Sequence, residues 1–254
     1  MASEDFRYSC AMLVLFTDFG AADVYVPQLK ASLLSHAGRP VTILDLLHEA
    51  PAFDIPSAAH LLAALQAQFP AESVFLAVVD PGVGSARDAV VVRAHDKWFV
   101  GPDNGLLAVV AARAASSQCW RIVWRPERLS NSFHGRDLFA PVAAWLADGR
   151  FPGDKLQATD RLAVQLGAQD LSQVIYIDHF GNAMTGLRAG NLPREERIQV
   201  AGRSLGYSRV FSSAAPGEAF WYENSIGLVE IAVNQGSAAT QLGLGVGDAI
   251  MRRG

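Results

Sequence analysis

Met12-Leu13-Val14-Leu15-Phe16-Thr17-Asp18-Phe19-Gly20 runs an unbroken apolar stretch into a polar turn, and Val24–Ser35 then carries its apolar residues at helical intervals. The apolar run from Cys10 to Phe16 is too short to cross a bilayer and reads as a buried strand. The same alternation recurs downstream. Val41–Leu44, Val74–Val79, Ala89–Arg93, Trp98–Val100 and Arg121–Trp124 read as strands, and Pro56–Gln68, Leu106–Ala114 and Ala140–Leu146 as helices. Strands alternating with helices specify an N-terminal layered α/β domain with a mainly parallel sheet covered on both faces, placed at residues 11–160.

From about Leu171 the rhythm changes to strands separated by Gly, Asn and Pro turns: Gln173–Ile177, Arg197–Val200, Glu218–Tyr222, Leu228–Val233 and Ala249–Arg252. This pattern suits a smaller antiparallel barrel or sandwich over residues 171–254. Residues 149–170 hold Phe151-Pro152-Gly153 and little periodicity, which predicts a linker.

The chain has 254 residues, half of them apolar, and a formal charge of -4. That length buries a core without staples, and the charge leaves no footprint for nucleic acid or an anionic membrane, so a small molecule is the expected partner. Cys10 and Cys119 match no metal or redox spacing and read as reduced thiols in a cytoplasmic protein.

In open α/β sheets, ligands gather at the carboxyl ends of strands. Asp18 stands there after the first strand, where a carboxylate can hold a ribose diol or simply cap a helix. Asp80-Pro81-Gly82-Val83-Gly84-Ser85-Ala86-Arg87 follows the most hydrophobic strand, and its Pro and Gly residues let Arg87 fold back toward Asp80 as a structural or a catalytic pair. Arg87 stands where a dinucleotide fingerprint needs its third glycine. Gly101-Pro102-Asp103-Asn104-Gly105 reads as a turn before a helix. Phe133-His134-Gly135-Arg136-Asp137 wedges an imidazole among Gly, Arg and Asp after a polar loop. Farther on, Asp178-His179-Phe180-Gly181-Asn182 offers a carboxylate, an aromatic face and an amide, and Asn224-Ser225-Ile226-Gly227 a hydroxyl and backbone N–H groups. Either alone is an ordinary turn; together they suit an amino acid joined to a nucleoside.

In this order, T-D-F-G, V-D-P-G-V-G-x-x-R, G-P-D-N-G-L-L, F-H-G-R-D-x-F-A-P-V-A, D-x-F-G-N and N-S-x-G-x-x-E-I-A-V-N-x-G-S-A-A resemble the S-adenosyl-L-methionine hydrolases, also called hydroxide adenosyltransferases, whose relatives include the bacterial fluorinase and chlorinase. The resemblance runs from about Leu13 to Arg252. It implies a C-terminal β-barrel, a homotrimer with sites between subunits, and hydrolysis of S-adenosyl-L-methionine without metal or cofactor. It further implies that Asp80, Arg87 and His134 activate water, that Asp18 binds the ribose, and that Phe180, Asn182 and Asn234 serve the adenine side. Asp178 and Ser225 then take the methionine ammonium and carboxylate. Where the halogenases carry a serine for the halide, this chain has Gly135, and where they have an arginine next to the serine that matches Ser225 it has Ile226.

Other readings of the same residues are a halogenase, a metal-dependent phosphoesterase built from Asp18, Asp80, Asp103, His134 and Asp137, and a non-catalytic sensor of the sulfonium or adenosine.

Overall fold

The computed structural model describes residues 12–253. In chain order the elements are β1 (Met12–Thr17), α1 (Tyr25–His36), β2 (Thr42–Leu47), α2 (Ile55–Leu65), β3 (Val74–Val78), β4 (Ala89–Ala94), β5 (Lys97–Pro102), α3 (Ala108–Arg113) and β6 (Ser117–Ile122). A five-residue π-helical turn (Gly135–Phe139) leads into α4 (Ala140–Ala147) and β7 (Leu156–Thr159). There follow β8 (Leu171–Ile177), β9 (Ala183–Arg188), β10 (Arg197–Val200), β11 (Arg203–Leu205), β12 (Ala219–Glu223), β13 (Leu228–Val233), α5 (Ala238–Leu242) and β14 (Met251–Arg253). Two compact units emerge. One holds the described residues up to Glu49, Pro70–Leu107 and Ala114–Ala163; the other holds Ala50–Phe69, Ala108–Arg113 and the chain from Val164.

The first unit is a seven-stranded sheet ordered β2-β1-β3-β5-β4-β6-β7. β2, β1, β3 and β5 run parallel, while β4 lies antiparallel to β5 and β6, and β7 antiparallel to β6. The reversal at β4–β5 follows from the tight turn His95-Asp96, both with positive φ (52° and 56°), the conformation that joins hairpin strands without splaying them. Leu13, Leu15, Leu76, Val91 and Val100 pack on one face against Leu29 and Leu33 of α1 and Val142 and Leu146 of α4. Ala140, Ala143, Ala144 and Ala147 keep α4 narrow enough to lie along α1. The alternate residues Val14, Phe16, Phe75, Ala77, Val92 and Phe99 are equally buried on the other face. Burial on both faces is why these strands read as continuous apolar runs.

In the second unit α2 packs on β8 and α3. It starts at Ile55 because the Asp54 carboxylate accepts from Ser57 N (3.1 Å) and Ser57 Oγ (2.7 Å), with Pro56 in the first turn. The strands form two antiparallel sheets, β11-β10-β14 and β12-β13-β9-β8. Isolated bridges, Gln173↔Ala249 and Tyr207↔Trp221, link them, and among the described residues no continuous ladder closes a barrel. Val174, Ile198, Trp221, Val229, Ile231 and Ile250 fill the core between the strands.

Some elements depart from the sequence reading. β6 is shifted toward the N-terminus of the expected Arg121–Trp124, because pairing with β4 places Cys119 opposite Val92 and Trp120 opposite Val91. Trp124 instead packs edge-on to Trp145 (5.0 Å). The stretch expected to be a linker contains β7, a short strand on β6 with only Leu156 buried, too weak an apolar signal to read. β9 lies outside the expected strands because Gly186 interrupts its apolar pattern; a Cβ there would lie 2.5 Å from Leu171 O, so the pairing of β8 with β9 demands glycine.

No helix among the described residues is long and apolar enough to cross a membrane. Cys119 is a free, half-buried thiol, its pKa raised by burial and by Asp103; Cys10 lies outside the described residues.

Candidate active site

Parallel pairing brings the ends of β1 and β3 together: Thr17 is in register with Val78, so Asp18 and Asp80 emerge side by side. Asp18 is half-buried, and its pKa is raised, first by burial and further by the negative charge of Asp80. Beyond Asp80 the chain turns sharply, with Val83 N donating to Asp80 O (3.2 Å) and Ser85 N to Gly82 O (3.1 Å). This returns Arg87 to Asp80, to which it donates through Nε (2.9 Å, to Oδ1) and Nη2 (to Oδ2). The Arg87 and Asp80 side chains are 10% and 4% exposed, so the pair is held away from water. Arg87 also lies over the Phe139 ring, 5.3 Å from its centroid.

His134 comes from another part of the chain, at the start of the π turn. The segment before it is pinned by the Asp137 carboxylate, which accepts from Ser130 N (2.9 Å) and pairs with Arg136. Gly84 makes the approach possible: its φ is +81° and a Cβ would lie 2.5 Å from Asn131 O. With the two loops in contact, Arg87 Nη2 and His134 Nδ1 are 3.2 Å apart. A guanidinium has no lone pair to offer, so Nδ1 must be the acceptor and the neutral ring carries its proton on Nε2. Burial and the adjacent Arg87 both lower the His134 pKa, which favours that neutral ring.

The predicted trio Asp80, Arg87 and His134 is therefore joined, with Asp18 beside it. Among the described residues no group of three or more His, Cys, Asp or Glu is arranged to hold a metal ion. In the proposed phosphoesterase set, Asp80 and Asp137 are each engaged by an arginine and Asp103 accepts from Ala163 N (2.8 Å). Gly135 sits under an aromatic cluster of Phe19, Tyr25 and Phe133, with centroids 5.4–6.0 Å apart. A Cβ at Gly135 would come 3.1 Å from Phe19 Cζ, so a serine there requires the Phe19 ring to give by a few tenths of an ångström.

The second unit carries a depression of about 610 Å³ lined by Asp178, Phe180, Asn182, Phe211, Tyr222 and Gln235, among others. Asp178 builds the turn that holds the first of these: Oδ1 accepts from Phe180 N (2.9 Å) and Asn182 N (2.8 Å), and Oδ2 from Asn182 Nδ2 (3.0 Å). A carboxylate has about four lone-pair sites, so at least one stays open to a ligand cation. Phe180 is 74% exposed, an aromatic face turned to solvent. Ser225 is exposed on the β12–β13 turn, outside the lining of the depression. That turn is shaped by Asn224, whose Oδ1 accepts from Ile226 N (3.1 Å) and Leu228 N (2.9 Å). Asn234 ties a neighbouring loop, Nδ2 donating to Ala214 O (2.8 Å), while Val233 and Gln235 on either side line the depression.

Sequence reading passed over Phe211, Tyr222, Gln235 and the buried Glu230. Glu230 accepts from Tyr222 Oη and from Asn224 Nδ2 (2.7 Å); burial raises its pKa, and burial together with the bond to Glu230 raises that of Tyr222. A signal was present: Glu230 is the one charge in Leu228–Val233, a strand buried at every position.

Residues 13–156 match the SAM hydroxide adenosyltransferase N-terminal domain and residues 172–251 its C-terminal domain. The chain is 38% identical over 250 residues to the (R)-S-adenosyl-L-methionine hydrolase of Salinispora arenicola, spanning 92% of this chain and 94% of that protein. It is 37% identical to the hydrolase of the same name from Thermus thermophilus, spanning 90% and 94%. A fluorinase from Actinopolyspora mzabensis is more distant, 27% identical over 73% of this chain and 74% of its own. The crystal structure of an uncharacterized conserved protein from Thermotoga maritima superposes with a TM-score of 0.86 at 31% identity, covering 95% of this chain and 100% of that one. The chain thus belongs to the SAM hydroxide adenosyltransferase family.

Proposed function

We propose that the protein hydrolyses S-adenosyl-L-methionine to adenosine and L-methionine, water attacking C5′ and the C5′–S bond breaking. The observation that carries this reading is the junction of Asp80, Arg87 and His134, in a chain whose relatives at 37–38% identity bear the name (R)-S-adenosyl-L-methionine hydrolase.

The leaving group is a neutral thioether and takes its bonding electrons without a proton or a Lewis acid. The demand falls on the nucleophile, since bulk water has a pKa of about 15.7. A water that displaces the direct Arg87–His134 contact accepts from the guanidinium and donates to the Nδ1 lone pair so freed, and the proton moves to His134 as the C–O bond forms. Asp80 holds Arg87 in place. Hydroxide-like and sulfonium charges cancel toward the transition state, which a dry pocket favours, and in-line alignment is worth up to about 7 kcal/mol or more. The family resemblance supports Asp18 as ribose anchor, Phe180 and Asn182, with Asn234, on the adenine side, and Asp178 and Ser225 at the amino-acid end. It likewise supports closure of the C-terminal strands into a barrel, a homotrimer with its sites between subunits, and a reaction without cofactor, while the cysteine usage supports a cytoplasmic location.

Turnover in ¹⁸O-water should place the label on the 5′-oxygen of adenosine, with activity unchanged by a chelator. Tight binding without any nucleoside product, unaltered in His134→Ala, would mark a sensor instead.

A further inference from the structure

A chain of polar groups behind Asp18 takes no part in the reaction described above. Lys30 Nζ donates to Asp45 Oδ2 (2.5 Å), His48 Nε2 lies 3.0 Å from Asp45 Oδ1, and His48 Nδ1 lies 2.7 Å from Thr17 Oγ1. Thr17 is fully buried and the His48 side chain is 5% exposed, so neither meets a ligand. With a neutral His48 ring the directions follow from the carboxylate, which can only accept. Asp45 accepts from Nε2–H, leaving Nδ1 with its lone pair, and the Thr17 hydroxyl donates its single proton there while accepting from Phe19 N (3.3 Å). The backbone beside His48 grips the same segment: His48 O accepts from Gly20 N (2.8 Å) and Glu49 Oε1 from Ala21 N (2.9 Å). Asp18 is thus presented on a turn clamped from the end of β2.

We infer that His48 is a positioning residue for substrate binding: its imidazole, oriented by Asp45, locks the Thr17 hydroxyl and through it the angle at which Asp18 meets a vicinal diol. Two oxygens gripping two adjacent hydroxyls tolerate little rotation, so a loosened turn costs diol recognition before it costs anything else. The inference rests on the reading of Asp18 as the ribose anchor.

Two variants separate the contacts. In His48→Gln the amide nitrogen takes the place of Nε2, keeping Asp45 and losing Thr17; in His48→Asn the amide oxygen takes the place of Nδ1, keeping Thr17 and losing Asp45. Binding of adenosine and of 2′,3′-dideoxyadenosine to the full-length protein is measured calorimetrically for wild type, both variants and Asp18→Asn, alongside steady-state kinetics. Wild type should prefer adenosine by about tenfold or more, as expected for hydrogen bonds to a charged group. His48→Gln should lose most of that ratio and raise KM with little change in kcat, and His48→Asn should keep it. A wild-type ratio in His48→Gln overturns the inference, as does equal weakening of both nucleosides or equal damage by both variants. A ratio near unity in wild type, unchanged in Asp18→Asn, removes the Asp18 reading itself and the inference with it.

Discussion

Arg87 Nη2 stands 3.2 Å from His134 Nδ1, joining two loops that are 47 residues apart in the chain. The contact dictates the charge state of the imidazole: the guanidinium occupies its basic nitrogen and disfavours a second positive charge. It also dictates the pH response.

His134 must be neutral to take a proton, and its pKa is lowered from 6.5 by burial and then by Arg87. The acid limb of kcat/KM therefore falls below pH 6.5, with activity lost as pH drops through the folded value. Arg87→Gln removes one of the lowering influences and should move that limb upward, while reducing kcat by about 100-fold or more as the water loses its charged partner. A pH–rate profile of both proteins checks this; an unmoved limb contradicts it.

Gly135→Ser should not create a halogenase. Its Cβ meets Phe19 Cζ at 3.1 Å, and overpacking of this kind costs about 1–3 kcal/mol. The expected outcome is weaker hydrolysis and no 5′-chloro-5′-deoxyadenosine in chloride buffer by mass spectrometry. Adding Phe19→Leu should restore part of the hydrolysis.

Glu230→Ala strands two donors, the half-buried Tyr222 Oη and the buried Asn224 Nδ2. The loss of stability should be about 2–4 kcal/mol by denaturant titration. Tyr222→Phe, which removes one donor and leaves Asn224 paired, should cost less than half as much.

His60 is buried in the second unit, its Nδ1 accepting from Arg113 Nη2 (3.1 Å), and its pKa is lowered from 6.5 to about 4, chiefly by burial. The unfolded chain therefore binds this proton first. The contribution to stability is complete above pH 6.5 and is lost as pH falls toward 4, amounting to about 3 kcal/mol. His60→Gln should flatten the stability profile across that window in chemical denaturation at successive pH values.

Strands β1, β3, β4 and β13 are legible because their apolar runs are short and nearly continuous, and β10 because Ile198 and Val200 alternate with polar residues. β7 and β9 are not: one is a four-residue edge strand with a single buried side chain, the other is interrupted by the glycine its neighbour requires. At the site, Asp80 and Arg87 were readable as partners because a Pro and two Gly between them force the chain back. The approach of His134 was foreshadowed only by family resemblance, since it depends on loop contact at Gly84. The Thr17–His48 and Tyr222–Glu230 pairs escaped entirely, for each joins residues whose nearness exists only once strands have paired.

The π turn at Gly135–Phe139 holds one residue more than an α-helical turn would, between His134 and the body of α4. Each residue of an α-helix advances the direction of its side chain by about 100°. Excising one residue there would let the backbone relax into the ordinary spiral and swing the imidazole a quarter-circle or more out of its loop. The surplus residue thus acts as an indexing tooth, setting the compass bearing of a side chain that no local propensity aims.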